Sequence, residues 1–117
     1  VGIIADIAKE YPGRVASSVD KVGGYLTHSD QAVRYNACSL LERVSDSSPQ
    51  DVEPFVKELM LLLEDDDEEI RLKSVYTLGE IREERALDKL EELSSGDSSE
   101  RVQELAEKAI HRIEGYD

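Results

Sequence analysis

The chain repeats itself at a spacing of 37 residues without a gap, and this period constrains the fold more than any other feature. Ile4–Val44 lies in register on Leu41–Ile81, so that Pro12 meets Pro49, Val15 meets Val52, Val19 meets Val56 and Leu26 meets Leu63. Asp30, Val33, Arg34, Leu41 and Val44 then meet Asp67, Ile70, Arg71, Leu78 and Ile81. A shorter third copy follows at a spacing of 32, with Ile70, Ser74, Leu78 and Ile81 recurring as Val102, Ala106, Ile110 and Ile113. Units of this size cannot bury an apolar face alone. They stack, and the shared core forms between neighbours.

Within each copy the apolar residues recur three and four apart: Val15, Val19, Val22, Leu26; Val33, Ala37, Leu41, Val44; Ile70, Ser74, Leu78, Ile81. That is helical spacing rather than strand alternation. Asp30, Asp67 and Ser99 each stand three residues before the first core Val or Ile of a helix, as N-caps do. Glu68, Glu69 and Glu100 follow in first turns, where the helix dipole favours negative charge. Pro12, Pro49 and Pro54 fall in loops or first turns, where a missing amide hydrogen costs little. The pattern predicts paired helices, the first of each pair called A and the second B: B over 1–10, A over 14–26, B over 31–45, A over 51–64, B over 68–82, A over 86–94 and B over 100–114. The expected organisation is one domain over 1–117, with a partial repeat at 1–13 and repeats at about 14–46, 51–82 and 86–114.

The run Leu62-Leu63-Glu64-Asp65-Asp66-Asp67-Glu68-Glu69-Ile70-Arg71, followed by Leu78-Gly79-Glu80-Ile81 and then by Ala86-Leu87, resembles the HEAT repeat family. Its short branch, the PBS-lyase-type HEAT-like repeats, is the most similar. The resemblance covers essentially the whole chain and implies an all-α, right-handed superhelix of stacked helical hairpins. It also implies a scaffold whose B helices line a concave binding side, and Asp and Arg residues forming a ladder between repeats. Arg34 and Arg71 recur at one repeat position, each in a first turn where a cation opposes the helix dipole. Each is therefore expected to have a loop carboxylate as partner, Asp30, Asp65 or Asp67 being nearest. The third copy carries Gln103 at that position.

Composition narrows the function. The net charge of −13 argues against nucleic acid as the main ligand, since phosphate binding needs clustered Lys and Arg. It also opposes adsorption to anionic lipid. The longest apolar run, Leu59–Leu63, falls far short of the roughly 18 residues a membrane span needs. The acidity attracts a basic partner, or keeps the chain soluble as high salt would require. The single cysteine, Cys38, allows no intramolecular disulfide and fits a reducing, cytoplasmic setting. Its place beside core position Ala37 makes it a packed residue rather than a reactive thiol.

No arrangement of catalysis or metal binding emerges. The acidic run Asp65–Glu69 lacks the twelve-residue ligand spacing and central Gly of a calcium loop, and reads as a solvated helix start. His28 and His111 have no Cys or second His at ligand spacing. Di-iron HEAT-like enzymes use His-Glu dipeptides, whereas here His28 precedes Ser29 and His111 precedes Arg112. HEAT-like glycosylases need an aromatic, basic groove, and this chain has no Trp. No nucleophile beside a base, phosphate loop or paired buried carboxylates is visible, so no catalytic residue, cofactor or metal is expected.

The candidate site is the exposed stripe of the B helices. Taken in register it comprises Tyr35, Asn36, Ser39 and Arg43; Leu72, Lys73, Tyr76 and Glu80; Glu104, Leu105, Lys108 and Arg112. These positions carry four cations against two anions, leaving −15 on the rest of the chain. Tyr35, Leu72 and Tyr76 place aromatic and aliphatic surface beside the cations, as interface cores do. The expectation is a non-enzymatic protein-interaction scaffold. It would bind a peptide or helix of another protein on this stripe, with partner carboxylates meeting Arg43, Lys73 and Arg112. Two alternatives stand beside it. One is an accessory domain of a bilin-lyase-like enzyme; the other is a structural unit that self-associates. By the 37-residue offset the first B helix would begin about four residues before Val1, so the chain reads as a fragment of a longer array or a trimmed product. Self-association would then use the uncovered Ile3, Ile4 and Ile7.

Overall fold

The computed structural model describes residues 12–115, with side chains from residue 19 onward. The expected B helix at 1–10, with Ile3, Ile4 and Ile7, lies outside the described residues. Six α-helices follow: α1 (Pro12–Leu26), α2 (Gln31–Ser47), α3 (Val56–Leu62), α4 (Glu68–Glu80), α5 (Leu87–Gly96) and α6 (Glu100–Glu114). Short 3-10 turns, Pro49–Phe55 and Glu84–Ala86, lead into α3 and α5. No strand occurs among the described residues.

The caps act where the sequence placed them. The Asp30 carboxylate accepts from the amide of Ala32 at 2.8 Å, and Asp67 accepts from that of Ile70 at 3.1 Å. The Ser99 hydroxyl accepts from the amide of Val102 at 3.3 Å. Each satisfies an amide that the first turn leaves without a partner. The helix expected over 14–26 begins at Pro12 and that expected over 31–45 runs to Ser47, and three further elements differ from expectation. The A helix expected over 51–64 is a 3-10 turn over Pro49–Phe55 and then α3, because Pro54 has no amide hydrogen and its ring opposes the carbonyl four residues back. The A helix expected over 86–94 begins as the 3-10 turn Glu84–Ala86 and runs to Gly96. The B helix expected over 68–82 ends at Glu80, where Arg82 turns left-handed at φ +54° and the amide of Glu83 returns to the carbonyl of Leu78 at 3.0 Å.

α2, α4 and α6 stack side by side, with α4 packed against both of the others. α1, α3 and α5 lie on the other side of the core, each packed on a B helix: α1 on α2, α3 on α4 and α5 on α6. Between the layers run Leu26, Leu41, Phe55, Leu59, Leu63, Ile70, Leu78, Leu90 and Val102, all fully buried. The buried hydroxyls of Ser74 and Thr77 are satisfied by donating to the carbonyls of Ile70 (2.9 Å) and Lys73 (2.8 Å) within their own helix. Gly79 lets the backbones of α4 and α6 approach. A methyl group there would lie 2.9 Å from Cβ and 3.2 Å from Cα of Ala109.

Candidate functional site: the exposed face of the B helices

At the loop edge, the first two copies of the repeat each build a guanidinium rung. Arg34 donates through Nε to Asp65 Oδ2 (2.8 Å) and through Nη2 to Oδ1 (3.3 Å), while its Nη1 holds the carbonyls of His28 and Ser29 at 2.9 and 3.0 Å. Arg71 repeats the arrangement one unit on. It reaches Asp97 Oδ2 at 3.0 Å and Oδ1 at 3.2 Å, and the carbonyls of Asp65 and Asp66 at 2.8 and 3.2 Å. The expectation of a loop carboxylate holds for both. Asp65 serves Arg34, whereas Arg71 takes Asp97, which lies outside the trio thought nearest; the partner comes from the next repeat's loop. The hydrogen bond to Asp65 pushes the Arg34 guanidinium further up. Gln103 keeps the inner half of the rung by donating to the Asp97 carbonyl. A neutral amide pins the loop without requiring a further carboxylate. At the other end His28 Nδ1 accepts from the amide of Asp30 at 2.9 Å, the task that Asp65 and Asp97 perform for Asp67 and Ser99.

The acidic run is therefore not merely a solvated helix start. Asp65 holds Arg34, Asp67 caps α4, and Glu68 and Glu69 both pair with Arg101 on α6, at 3.4 and 3.1 Å. The Ser99 hydroxyl donates to Glu68 as well. Three of the five acidic residues, Asp65, Glu68 and Glu69, thus pair with neighbouring repeats.

The predicted stripe divides into two seams. In the α2–α4 seam, Lys73 lies 4.9 Å above the Tyr35 ring and 3.3 Å from Glu42 Oε1. The Tyr76 hydroxyl donates to Asp46 Oδ1 at 2.7 Å, and losing that bond on ionisation pushes its pKa up to about 12. Tyr35, Asn36 and Arg43 are exposed, and Ser39 is half-buried. Leu72 packs against the core rather than standing free. In the α4–α6 seam, Arg112 pairs with Glu80 at 3.0 Å, while Lys108 and Glu104 are exposed and Leu105 packs half-buried. A cavity of 160 Å³ lies here, lined by Tyr76, Gly79, Glu80, Leu105, Lys108, Ala109 and Arg112.

Two of the three cations expected to meet a partner's carboxylates, Lys73 and Arg112, thus already hold carboxylates of this chain. Glu42 and Asp46, whose counterparts one period on are Gly79 and Glu83, lie outside the predicted stripe. With them counted, the stripe balances four cations against four anions. A signal was present in the sequence: Glu42 and Lys73, Asp46 and Tyr76, and Glu80 and Arg112 are 31, 30 and 32 residues apart. Cys38 is fully buried, and desolvation pushes its thiol up to about 11, as a packed residue requires.

Among the described residues no group of His, Cys, Asp and Glu is placed to hold a metal, and no helix is long and apolar enough to cross a membrane. Stacked helical hairpins joined by guanidinium–carboxylate rungs define the class: this is an α-helical repeat protein of the solenoid type. A family model described as HEAT repeats matches residues 17–111, most of the chain. The chain belongs to the HEAT repeat family. HEAT repeats are commonly protein-interaction scaffolds. A comparison with curated proteins gave no match.

Proposed function

We propose that this chain is a non-enzymatic scaffold that binds a peptide or helix of another protein on the exposed face of α2, α4 and α6. The observation that carries the reading is the α4–α6 groove, a cavity lined by half-buried Tyr76 and Leu105 and by buried Ala109 beside Lys108 and Arg112. Interfaces place such a patch at their centre and charge around it. The partner is a protein rather than a nucleic acid, because the basic residues on this face are balanced by carboxylates. The buried free thiol of Cys38 supports residence in the cytoplasm.

A selection of random peptides displayed against the purified chain tests this. Enriched peptides should lose binding to a variant carrying Tyr35→Ala, Arg43→Glu and Lys108→Glu, three exposed positions whose replacement spares the core. Leu72 is left intact because it packs against that core. Peptides that bind the variant as well as the parent would move the site off this face.

A further inference from the structure

We propose that the groove between α4 and α6 receives an aliphatic side chain from an acidic segment of the partner, whose carboxylate lies on Lys108; this rests on the scaffold reading above. The two seams of the B-helix face are not equivalent. Lys73, Tyr35, Glu42, Tyr76 and Asp46 close the α2–α4 seam with their own ion pair, ring contact and hydrogen bond. The α4–α6 seam is crossed by the Glu80–Arg112 pair, but where the helices approach at Gly79 and Ala109 a cavity remains between Tyr76, Leu105 and Lys108. The resulting 160 Å³ suits one branched aliphatic group, since a cavity of about 150 Å³ admits a benzene-sized molecule. One wall is the Tyr76 ring, held in place by its bond to Asp46. A fixed wall reduces the ordering cost of binding.

Charge selects the occupant. Of the charged residues lining the groove, Lys108 and Arg112 are cations and Glu80, 17% exposed, is the one carboxylate, with its Oε1 already on Arg112. Lys108 is exposed with no ion pair among the described residues, and Arg112 is 44% exposed with part of its guanidinium fork open. The −13 of the whole chain favours basic partners at a distance, but charges more than about 8 Å apart are largely screened at physiological salt. At contact, the groove's own lining has two cations against one carboxylate, although the face as a whole is balanced.

Two fluorescein-labelled synthetic peptides, alike except that a single Leu is flanked by Glu in one and by Lys in the other, provide the test by anisotropy with the full chain. The Glu-flanked peptide should bind at least tenfold more tightly than its Lys counterpart, and changing its Leu to Ala should abolish binding. Lys108→Glu should reverse the preference and Lys108→Met should remove it, with helix content unchanged by circular dichroism. Equal binding, preference for the Lys peptide, no binding by either, or indifference to both Lys108 variants would overturn the proposal. The display selection separates this outcome from the broader one. Enriched peptides that need the B-helix face but carry basic flanks leave the scaffold intact and remove only the acidic occupant.

Discussion

Two glycines that look alike in sequence should respond to alanine with opposite signs. Gly24 lies in α1 with nothing within 4 Å of where a methyl would go, so Gly24→Ala should stabilise by about 0.5–1 kcal/mol through the unfolded chain's lost freedom. Gly79→Ala gains the same helix propensity but drives its methyl to 2.9 Å from Ala109 Cβ, with α6 backbone directly behind. Overpacking of this kind costs about 1–3 kcal/mol, so a net loss is expected. Urea denaturation of both variants checks the pair, and a gain at Gly79 would mean α4 and α6 separate cheaply. Cys38 offers a third residue-scale outcome. With its thiol pushed up to about 11 and fully buried, only about one molecule in a thousand carries a thiolate at pH 8. Ellman's reagent should leave the native chain unlabelled for hours and react at once in denaturant. Rapid native labelling would contradict the packing described for α2.

At the scale of elements, the loop rungs hold each hairpin to the next. Arg71 and Asp97 have side chains only 11% and 6% exposed, and the same guanidinium satisfies two loop carbonyls. Arg71→Leu strands the Asp97 carboxylate and frees both carbonyls, for which a loss of about 3–5 kcal/mol is expected. Arg71→Gln should lose less, because Gln103 demonstrates that an amide at this position still reaches the loop carbonyl. Thermal melts of the two variants rank the halves of the rung. If both fall equally, the carboxylate interaction dominates and the carbonyl bonds contribute little. Arg71→Lys belongs with the losses as well, since an ammonium cannot span a carboxylate and two carbonyls in one plane.

For the whole molecule, stacking makes stability unequal along the chain. α4 is flanked by α2, α3 and α6, whereas α6 has no B-helix neighbour on its outer side among the described residues. Hydrogen exchange should therefore be slowest through Val75–Leu78 of α4 and faster in α1 and α6, as expected where each unit contacts only its neighbours. Uniform protection would mean that the repeats unfold as one block. The charge of −13 adds a second whole-molecule effect. Self-repulsion opposes the compact state, so raising sodium chloride from 20 to 300 mM should increase the melting temperature despite weakening exposed pairs such as Lys89–Glu64. A fall would show that those surface pairs outweigh the net repulsion.

The repeat period, the helical spacing and the caps at Asp30, Asp67 and Ser99 determined an all-α stack of hairpins before any coordinates, because these are local rules repeated in register. The core positions Leu41, Ile70, Leu78, Val102 and Ile110 followed from the same spacing, as did the need of Arg34 and Arg71 for loop carboxylates. Tertiary structure alone decided the rest. Which carboxylate serves Arg71 depends on how far the next repeat's loop reaches back, and Asp97 is 26 residues away in sequence. Lys73 and Arg112 looked available on a helix surface, yet the neighbouring helix supplies Glu42 and Glu80. The 37-residue register compares each position with its counterpart one period on, whereas the α2–α4 contacts join residues 30 and 31 apart, about two helical turns short of that period. That offset is set by the crossing of packed helices, which a periodicity does not contain. The open groove over Gly79 and Ala109 has the same origin: two small residues are unremarkable in sequence and become a groove only when their helices meet.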